Sequence, residues 1–189
     1  MIKIGILGDI GSGKSYVARK FGYPVFNADY EVAKLYAFNK KIFNKLNKSL
    51  PKYICSFPIE KKEISNAILA NKNNLKKIVK IVHVEVSKKM HIFLKKHKNK
   101  KIVILDVPLL LENKINKKKD ILVFIQSKKS DILKRLTKRK NFNQELLKKF
   151  KKIQYSIKYK KKKSNFIIKN DFTNKTVNEG IKKILKKIV

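Results

Sequence analysis

Residues 8–15 of this 189-residue chain read GDIGSGKS. This segment has the spacing G-x4-G-K-S/T of a phosphate-binding loop, called the phosphate loop below. An apolar, β-branched segment precedes it at residues 3–7, and a helical segment with Val17, Ala18 and Phe21 follows it. Glycines let the N–H groups of such a loop turn inward around a phosphate, beside the start of a helix. The sequence therefore predicts that the chain binds a nucleoside triphosphate.

The predicted contacts with the nucleotide lie in and just after the phosphate loop: Gly8, Gly11, Ser12, Gly13, Lys14, Ser15 and Tyr16. Lys14 is expected to bridge the β- and γ-phosphates, and so to act in catalysis as well as in binding. The Ser15 hydroxyl is expected to bind Mg²⁺. The alternative is a glycine-rich turn that carries Lys14 and Ser15 by chance. The complete spacing, with a strand before it and a helix after it, argues against that alternative.

Strands that alternate with helices predict an α/β fold with a parallel β-sheet flanked by helices. The expected strands cover residues 3–7, 24–28 (ending at Asp29), 101–107, 121–125 and 166–168. Helices are expected over most of 31–98 and over 130–163, where the run Lys160–Lys163 is interpreted as a mobile, solvated loop or helix end. A last helix is expected to start with Thr176 and Glu179 as a capping box.

The net charge is strongly positive, because 49 Lys and Arg residues face 13 Asp and Glu residues and give +36. A nucleic-acid-binding surface would explain this charge. However, Lys, Ile and Asn make up nearly half of the chain, all three have A/T-rich codons, and the lysines are scattered from Lys40 to Lys187. Compositional drift explains the charge better, so no specific nucleic-acid partner is expected. The electrostatic field of these positive charges would still steer an anionic small-molecule substrate towards the protein.

Other features of the sequence predict a cytoplasmic protein. No stretch approaches the roughly 18 apolar residues that cross a membrane, so no membrane partner is expected. Residues 2–7 lack the pattern of a secretory signal. The single cysteine, Cys55, excludes an intramolecular disulfide and a cysteine-rich zinc site. A monomer is favoured over an oligomer.

Phosphate loops occur in GTPases, in ATPases and in small-molecule kinases, and other segments discriminate among these classes. GTPases carry an N-K-x-D segment after a later strand, whereas residues 126–129 read QSKK after the strand predicted at 121–125. An ATPase that handles nucleic acids is normally longer and carries further motifs. These observations favour a small-molecule kinase.

Segments spread over nearly the whole chain follow one family pattern. They are residues 5–15 (GILGDIGSGKS), 21–29 (FGYPVFNAD), 106–112 (DVPLLLE) and 166–170 (FIIKN), together with Arg135, Arg139 and Gln154. In order and spacing these segments resemble those of dephospho-CoA kinases, and the two that end in Asp29 and Glu112 discriminate most. The resemblance implies ATP- and Mg²⁺-dependent phosphorylation of the ribose 3′-hydroxyl of dephospho-CoA. It also implies a P-loop kinase-type core, a helical substrate lobe and a lid.

The chain departs from the family pattern at Asp9, Tyr16, Asn27, Val84 and Phe172. Asn27 stands where Asp is frequent, Val84 replaces the proline that usually follows His83, and Phe172 stands where glycine is expected. Lysines also replace arginines in the lid, and a lysine lacks the bidentate fork of arginine. None of these changes removes a group that the chemistry requires.

Two aspartates at the predicted strand ends are candidates for chemistry, since ligands bind at the carboxyl edge of open α/β sheets. Asp29 could take the proton of the attacking hydroxyl and orient it, as catalytic residue and substrate contact. It could equally be the N-cap of a helix that begins near Glu31, and the resemblance favours catalysis. Asp106 could hold Mg²⁺, and a structural cap on the following turn is the alternative.

The resemblance also assigns residues outside the phosphate loop. Arg135 and Arg139, spaced i, i+4 on one predicted helix face, are expected to close on the β- and γ-phosphates, Arg139 in catalysis and Arg135 in nucleotide binding. Two solvated arginines are the alternative. Asn170 is a predicted adenine contact. The predicted contacts with dephospho-CoA, besides Asp29, are His83, Pro108, Leu111 and Glu112, and a packed or surface histidine remains an alternative for His83.

The expected organisation is one kinase domain over residues 1–189. Its core is expected to comprise residues 1–30, 101–134 and 164–189, with a helical substrate lobe at 31–100 and a basic lid region at 135–163. Two other functions stay open at this point. One is a nucleoside or nucleotide kinase of the same fold, and the other is a basic nucleic-acid-binding protein whose phosphate loop is vestigial or regulatory.

Overall fold

The computed structural model describes residues 1–140 and 142–188. Within them, five strands form one sheet in the order β2-β3-β1-β4-β5, and every neighbouring pair is parallel. The strands are β1 (Ile2–Gly8), β2 (Val25–Asn27), β3 (Ile102–Asp106), β4 (Ile121–Gln126) and β5 (Phe166–Lys169). The parallel α/β fold predicted from the sequence is confirmed.

The helices of the described residues separate these strands along the chain. They are α1 (Lys14–Lys20), α2 (Ala28–Phe38), α3 (Lys40–Ser49), α4 (Lys61–Ala70), α5 (Lys72–Lys96), α6 (Lys129–Thr137), α7 (Gln144–Lys152), α8 (Ile157–Lys163) and α9 (Asn174–Ile188). None of them is long and apolar enough to cross a membrane.

The central strands β1, β3 and β4 read as nearly continuous apolar runs because helices cover both of their faces. Their side chains pack with those of α1 and α9 into one core, whose fully buried members include Ile4, Ile6, Val17, Ala18, Ile102, Ile104, Val123 and Val177. The order of the sheet places β1 between β3 and β4, where the connections leave in opposite directions. A crevice at the carboxyl ends of the strands is expected at such a switch point. The phosphate loop follows β1 at this position.

The chain divides into two compact units. The first comprises Met1–Asn27, His97–Phe142 and Ile153–Val189, and therefore contains the whole sheet. The second comprises Ala28–Lys96 and Asn143–Lys152. The segment 135–163, predicted as a basic lid, is thus divided, because α7 belongs to the second unit whereas α6 and α8 belong to the first.

The second unit is built around the long helix α5, which packs against α2, α3 and α4. Its buried side chains include Leu35, Ile42, Leu46, Ile54, Ala67, Ile68, Leu75, Ile78 and Val82. Helix α7 contacts α4, where Lys149 Nζ donates to the carbonyl oxygens of Ile68 at 3.1 Å and Leu69 at 2.6 Å. This ammonium group satisfies carbonyls at the end of α4 that have no partner within the helix.

Several local predictions are wrong. Strand β2 ends at Asn27, so Asp29 lies in the first turn of α2 and not at a strand end. Helix α9 begins at Asn174, and Thr173 Oγ accepts the N–H of Thr176 at 3.5 Å, so Thr176 and Glu179 do not form a capping box. The run Lys160–Lys163 is the end of a helix, α8, which was one of the two alternatives for it, but it is not fully solvated, because Lys160 is buried.

Candidate active site

The backbone of the phosphate loop takes the conformation for which glycine is required. Gly11 and Gly13 have φ values of 86° and 87°, in the left-handed region that other residues rarely adopt. At Gly13 the surroundings also exclude a side chain, since a Cβ atom there would lie 2.5 Å from Asn170 Nδ2. The loop turns back on itself through a hydrogen bond from the N–H of Ser12 to the carbonyl oxygen of Asp9, at 3.2 Å.

The ammonium group of Lys14 lies over this loop. Its Nζ donates to the carbonyl oxygen of Asp9 at 2.8 Å and to that of Gly8 at 3.4 Å. The side chain is therefore folded back along the loop instead of extending into solvent. A phosphate in the loop would meet a positive charge that is already in place.

The side chains of the other predicted nucleotide contacts in this segment differ in their burial and in their hydrogen-bond partners. Ser15 is half-buried in the first turn of α1. The hydroxyl of Tyr16 donates to Asn174 Oδ1, the first residue of α9, so Tyr16 joins α1 to α9. Ser12 is completely buried, and its Oγ has no hydrogen-bond partner. The side chain of Ser12 therefore points into the interior of the protein.

Asp106 and Asn27 are register partners at the carboxyl ends of β3 and β2. Asn27 Nδ2 donates to Asp106 Oδ2 at 2.6 Å, and Asp106 is 3% exposed. A carboxylate together with the Ser15 hydroxyl offers the hard oxygen ligands that Mg²⁺ prefers, and Mg²⁺ usually binds one or two carboxylates plus substrate phosphates. In the part of the chain that the structure describes, no three His, Cys, Asp or Glu residues form an all-protein metal site. The donor chemistry of Asp106 and Ser15 fits a Mg²⁺ ion that is also bound by nucleotide phosphates.

Asn170 follows β5 and lies against the phosphate loop. Its Nδ2 donates to the carbonyl oxygen of Ser12 at 2.8 Å, and its Oδ1 accepts the N–H of Phe172 at 2.9 Å. Ser127, which follows β4, donates its hydroxyl to the same carbonyl of Ser12 at 3.1 Å. Sequence reasoning did not single out Ser127. The one available signal was its place as a polar residue just past the carboxyl end of a strand next to β1.

Arg135 and the loop are connected through Phe172. The Arg135 guanidinium carbon lies 4.3 Å from the centre of the Phe172 ring, and that ring approaches Gly13, with its Cε1 3.5 Å from where a Cβ would be. Helix α6, which carries Arg135, also packs on the loop, because Leu136 Cγ lies 3.0 Å from a Cβ built at Gly11. Arg135 thus lies near the phosphate loop, and its contact with the phosphates stays a prediction.

Arg139 does not share a helix face with Arg135, and this prediction is wrong. Helix α6 ends at Thr137, and Arg139 lies in the turn that follows, where its N–H donates to the carbonyl oxygen of Leu136 at 3.1 Å. Because the i, i+4 relationship holds only within a helix, the spacing says nothing about the direction of this side chain.

The segment after β3 contains Pro108, Leu111 and Glu112. Pro108 is half-buried and Leu111 is buried. Glu112 Oε1 pairs with Lys160 Nζ at 3.0 Å and accepts the N–H of Tyr155 at 2.8 Å, while its Oε2 is buried without a hydrogen-bond partner. This carboxylate is therefore engaged inside the first unit.

Asp29 and His83 belong to the second unit. Asp29 is exposed in the first turn of α2. It is the second residue of that helix, which excludes the N-cap role that was the alternative for it. His83 lies on α5, and its Nε2 is buried without a hydrogen-bond partner.

Comparisons with known proteins point to one family. A family model described as dephospho-CoA kinase matches residues 2–176. The dephospho-CoA kinase of Wolbachia sp. subsp. Brugia malayi is 37% identical over 129 residues, which cover 66% of this chain and 66% of that protein. The dephospho-CoA kinase of Fusobacterium nucleatum is 35% identical over 133 residues, with the same shares. The aligned part is thus slightly under two thirds of each relative.

Solved structures show the same fold. TT1252 from Thermus thermophilus has a TM-score of 0.76 at 22% identity, and the match covers 100% of this chain and 98% of that one. A dephospho-CoA kinase from Campylobacter jejuni has a TM-score of 0.63 at 21% identity, covering 98% and 96%. A shikimate kinase from Acinetobacter baumannii has a TM-score of 0.53 at 15% identity, covering 100% and 93%.

Proposed function

Because this chain belongs to the dephospho-CoA kinase family, we propose that it transfers the γ-phosphoryl group of ATP to the ribose 3′-hydroxyl of dephospho-CoA. The products are coenzyme A and ADP, and the reaction is the last step of coenzyme A biosynthesis. The observation that carries the proposal is the phosphate loop at the carboxyl edge of the sheet, with Lys14 Nζ 2.8 Å from the Asp9 carbonyl and Asp106 at the end of the neighbouring strand. A loop of this kind binds the phosphates of a nucleotide.

The phosphate loop and Lys14 hold ATP. Backbone N–H groups around Gly11 and Gly13 face the β-phosphate, and Lys14 stabilises the charge that builds up between the β- and γ-phosphates. Asp106 and Ser15 would hold Mg²⁺. When bound, this ion neutralises phosphate charge. Asn27 fixes one oxygen of Asp106 through its 2.6 Å hydrogen bond and so limits the orientations of that carboxylate.

Asp29 is the general base of the proposed reaction. The 3′-oxygen forms a bond to the γ-phosphorus while the bond from that phosphorus to the leaving oxygen of ADP breaks, and the hydroxyl proton passes to Asp29. The exposure of the carboxylate in the first turn of α2 supports this role, because a reacting group must be accessible to the acceptor. A positioned base of this type typically contributes a factor of about 10²–10⁴ in rate.

Arg135 and Arg139 supply positive charge to the phosphates. Arg135 is supported by its place beside the phosphate loop, on the ring of Phe172. We assign Arg139 to the transition state on the resemblance to the family. The net charge of +36 raises the local concentration of ATP and dephospho-CoA, both of which are anions.

We propose His83, Pro108 and Leu111 as contacts for dephospho-CoA. Glu112, predicted to join them, is engaged by Lys160, and we propose that it holds the segment 108–112 in place. Asn170 stays a prediction as an adenine contact. We further propose a monomer in the cytoplasm, where its one cysteine, Cys55, would remain reduced.

The direct test is a product analysis. Purified protein with ATP and Mg²⁺ is offered dephospho-CoA, adenosine, uridine and nucleoside monophosphates in parallel, and the products are identified by mass spectrometry. The proposal predicts that dephospho-CoA gains one phosphoryl group and is turned over fastest. Equal or faster turnover of a nucleoside or nucleoside monophosphate would identify another kinase of the same fold. No phosphoryl transfer at all, with tight DNA binding, would support the nucleic-acid function.

A further inference from the structure

The carbonyl oxygen of Ser12, inside the phosphate loop, is held by two side chains from outside the loop. Asn170 Nδ2 donates to it at 2.8 Å, and Ser127 Oγ donates to it at 3.1 Å. Ser12 and Asn170 are 0% and 2% exposed. Two donors on one buried carbonyl fix the plane of the peptide to which it belongs, since rotating that peptide would leave the carbonyl and both donors without partners.

Asn170 is itself fixed in place. Its Oδ1 accepts the N–H of Phe172 at 2.9 Å, and its own N–H donates to the carbonyl oxygen of Gln126 at 2.8 Å. The amide also touches the loop backbone, because a Cβ at Gly13 would lie only 2.5 Å from Asn170 Nδ2. The ends of β4 and β5 thus present two rigid donors to one point of the loop.

A trans peptide is planar, and its C=O and N–H groups point in opposite directions. The carbonyl of Ser12 belongs to the same peptide as the N–H of Gly13. We propose that Asn170 and Ser127 are positioning residues: they draw the Ser12 carbonyl outward and thereby aim the N–H of Gly13 into the phosphate loop as a preset donor for a phosphate oxygen. A donor fixed before the ligand arrives needs no reorganisation on binding. This inference rests on the proposed function, which supplies the polyphosphate ligand.

The positioning role and the adenine contact predicted for Asn170 would affect the binding of different ligands. A contact to adenine acts only on ligands that carry the base. A residue that aims a loop N–H acts on any phosphate chain in the loop. Inorganic tripolyphosphate, which has the phosphates of ATP and no base, therefore separates the two roles.

The experiment is calorimetric titration of the full chain with ATP and with tripolyphosphate, in the same Mg²⁺ buffer. The variants are Asn170→Ala and Ser127→Ala, each of which removes one donor from the Ser12 carbonyl. Asn165→Ala is the matched control, because its Oδ1 accepts the N–H of Leu122 at 2.8 Å at the other end of β5. Thermal melting of each variant checks that it is folded.

We expect the affinity for both ligands to fall roughly three- to tenfold in each of the two variants, the range expected when a buried hydrogen bond is lost. Asn165→Ala should bind both ligands as the wild type does, even where its Tm falls. If Asn170→Ala fails to fold, Ser127→Ala carries the test, because it removes only a hydroxyl from a half-buried residue.

Three results would overturn the inference. The first is a loss of ATP affinity in Asn170→Ala with unchanged tripolyphosphate affinity, which would make Asn170 a base contact. The second is unchanged affinity for both ligands in folded Ser127→Ala. The third is a wild-type protein that binds neither ligand, which would overturn the proposed function at the same time. The first two leave the proposed function intact.

Discussion

Lys160 Nζ lies 3.0 Å from Glu112 Oε1, and the two side chains are only 3% and 9% exposed. Lys160 also donates to Gln154 Oε1 at 2.8 Å. Burying an ion pair costs desolvation energy for both groups. Each charge therefore needs the other one to offset this cost. The pair joins α8 to the segment 108–112, which follows β3. In this segment Pro108 and Leu111 are proposed to contact the substrate, and Glu112 is proposed to hold the segment in place.

Removal of one partner should therefore destabilise the protein strongly. Lys160→Met leaves the Glu112 carboxylate buried without its counter-charge, and we expect the free energy of unfolding to fall by about 3–5 kcal/mol. Urea denaturation followed by circular dichroism measures the change. The double variant Glu112→Leu with Lys160→Met should recover most of the loss, because no charge remains buried.

Lys161→Met is the matched control for this pair. Lys161 is the exposed neighbour of Lys160 in the same helix, so the substitution should change the unfolding free energy by less than about 0.5 kcal/mol. If Lys160→Met and Lys161→Met lowered the free energy of unfolding equally, the ion pair would make no specific contribution to stability.

Glu63 should make stability depend on pH. Burial raises the pKa of this carboxyl, but hydrogen bonds from Cys55 N–H, from the Ser56 hydroxyl and N–H and from Glu60 N–H outweigh burial, so the pKa lies below its usual value. Since the pKa is lower in the folded state, the ionised carboxylate stabilises the protein above about pH 4.3, and this contribution disappears as the pH falls through the folded-state pKa. Glu63→Gln should therefore lower Tm at pH 7 by about 2–4 °C, and the difference should shrink towards pH 3.

The control for Glu63 is Glu145→Gln in the same unit. The side chain of Glu145 is 65% exposed, and its carboxylate lies 3.5 Å from Lys149 Nζ. An exposed pair of this kind contributes little, so its removal should leave Tm nearly unchanged at every pH. A Tm difference for Glu63→Gln that is constant from pH 7 to pH 3 would contradict the role of the carboxylate charge.

The buried hydroxyl of Ser12 should be dispensable. Its Oγ has no hydrogen-bond partner, and burying such a group carries a cost. Ser12→Ala keeps the backbone of the phosphate loop, so ATP affinity should stay within about twofold and the free energy of unfolding should rise by up to about 1 kcal/mol. Calorimetric titration with ATP and thermal melting measure both quantities, and a tenfold loss of ATP affinity would show that the hydroxyl reaches the nucleotide.

Gly13→Ala serves as the contrasting variant in the same loop. Its Cβ would lie 2.5 Å from Asn170 Nδ2 at a φ of 87°, so the loop must distort. We expect ATP affinity to fall by tenfold or more. The same affinity in Ser12→Ala and Gly13→Ala would mean that the loop geometry does not control binding.

Any binding of nucleic acid should be non-specific. Contacts from dispersed lysines release counterions from phosphate backbones, so affinity for random DNA should fall steeply between about 50 and 200 mM salt. Fluorescence anisotropy with two unrelated DNA sequences should show no preference. Sequence-selective binding that survives physiological salt would contradict compositional drift as the origin of the +36 charge.

The parts of the structure that follow from local sequence could be predicted. The phosphate loop is specified by glycine spacing at residues 8–15, and β3 and β4 by apolar runs that are long enough for a covered strand. The chain order of these elements then places Asp106 near the loop, because the carboxyl ends of parallel strands meet at one edge of the sheet.

The ends of helices could not be predicted to the residue. Thr173 and Thr176 are three residues apart and both can cap a helix, so the sequence does not show which one precedes α9. Arg139 lies beyond the end of α6 although no glycine or proline marks that end. The exact ends of helices depend on tertiary packing, and the local sequence pattern does not show this packing.

Contacts between distant parts of the chain were also missed. Ser127 and Asn170 are 115 and 158 residues from Ser12, and only the folded sheet brings all three together. Lys160 lies in a run of four lysines that reads as solvated. It is buried because Glu112 offers a counter-charge from another segment.

Asp29 is the proposed base for phosphoryl transfer to dephospho-CoA, and one measurement tests this role directly. Asp29→Asn keeps the size of the side chain and removes its basicity. Glu31→Gln is the matched control, because Glu31 is the other acidic residue in the first turn of α2. Steady-state turnover of dephospho-CoA is measured for both variants, with ATP affinity measured by calorimetry.

We expect Asp29→Asn to lower turnover by a factor of about 10²–10⁴ and to leave ATP affinity unchanged, while Glu31→Gln retains wild-type turnover. If Asp29→Asn keeps more than about a tenth of wild-type turnover, Asp29 is not the base.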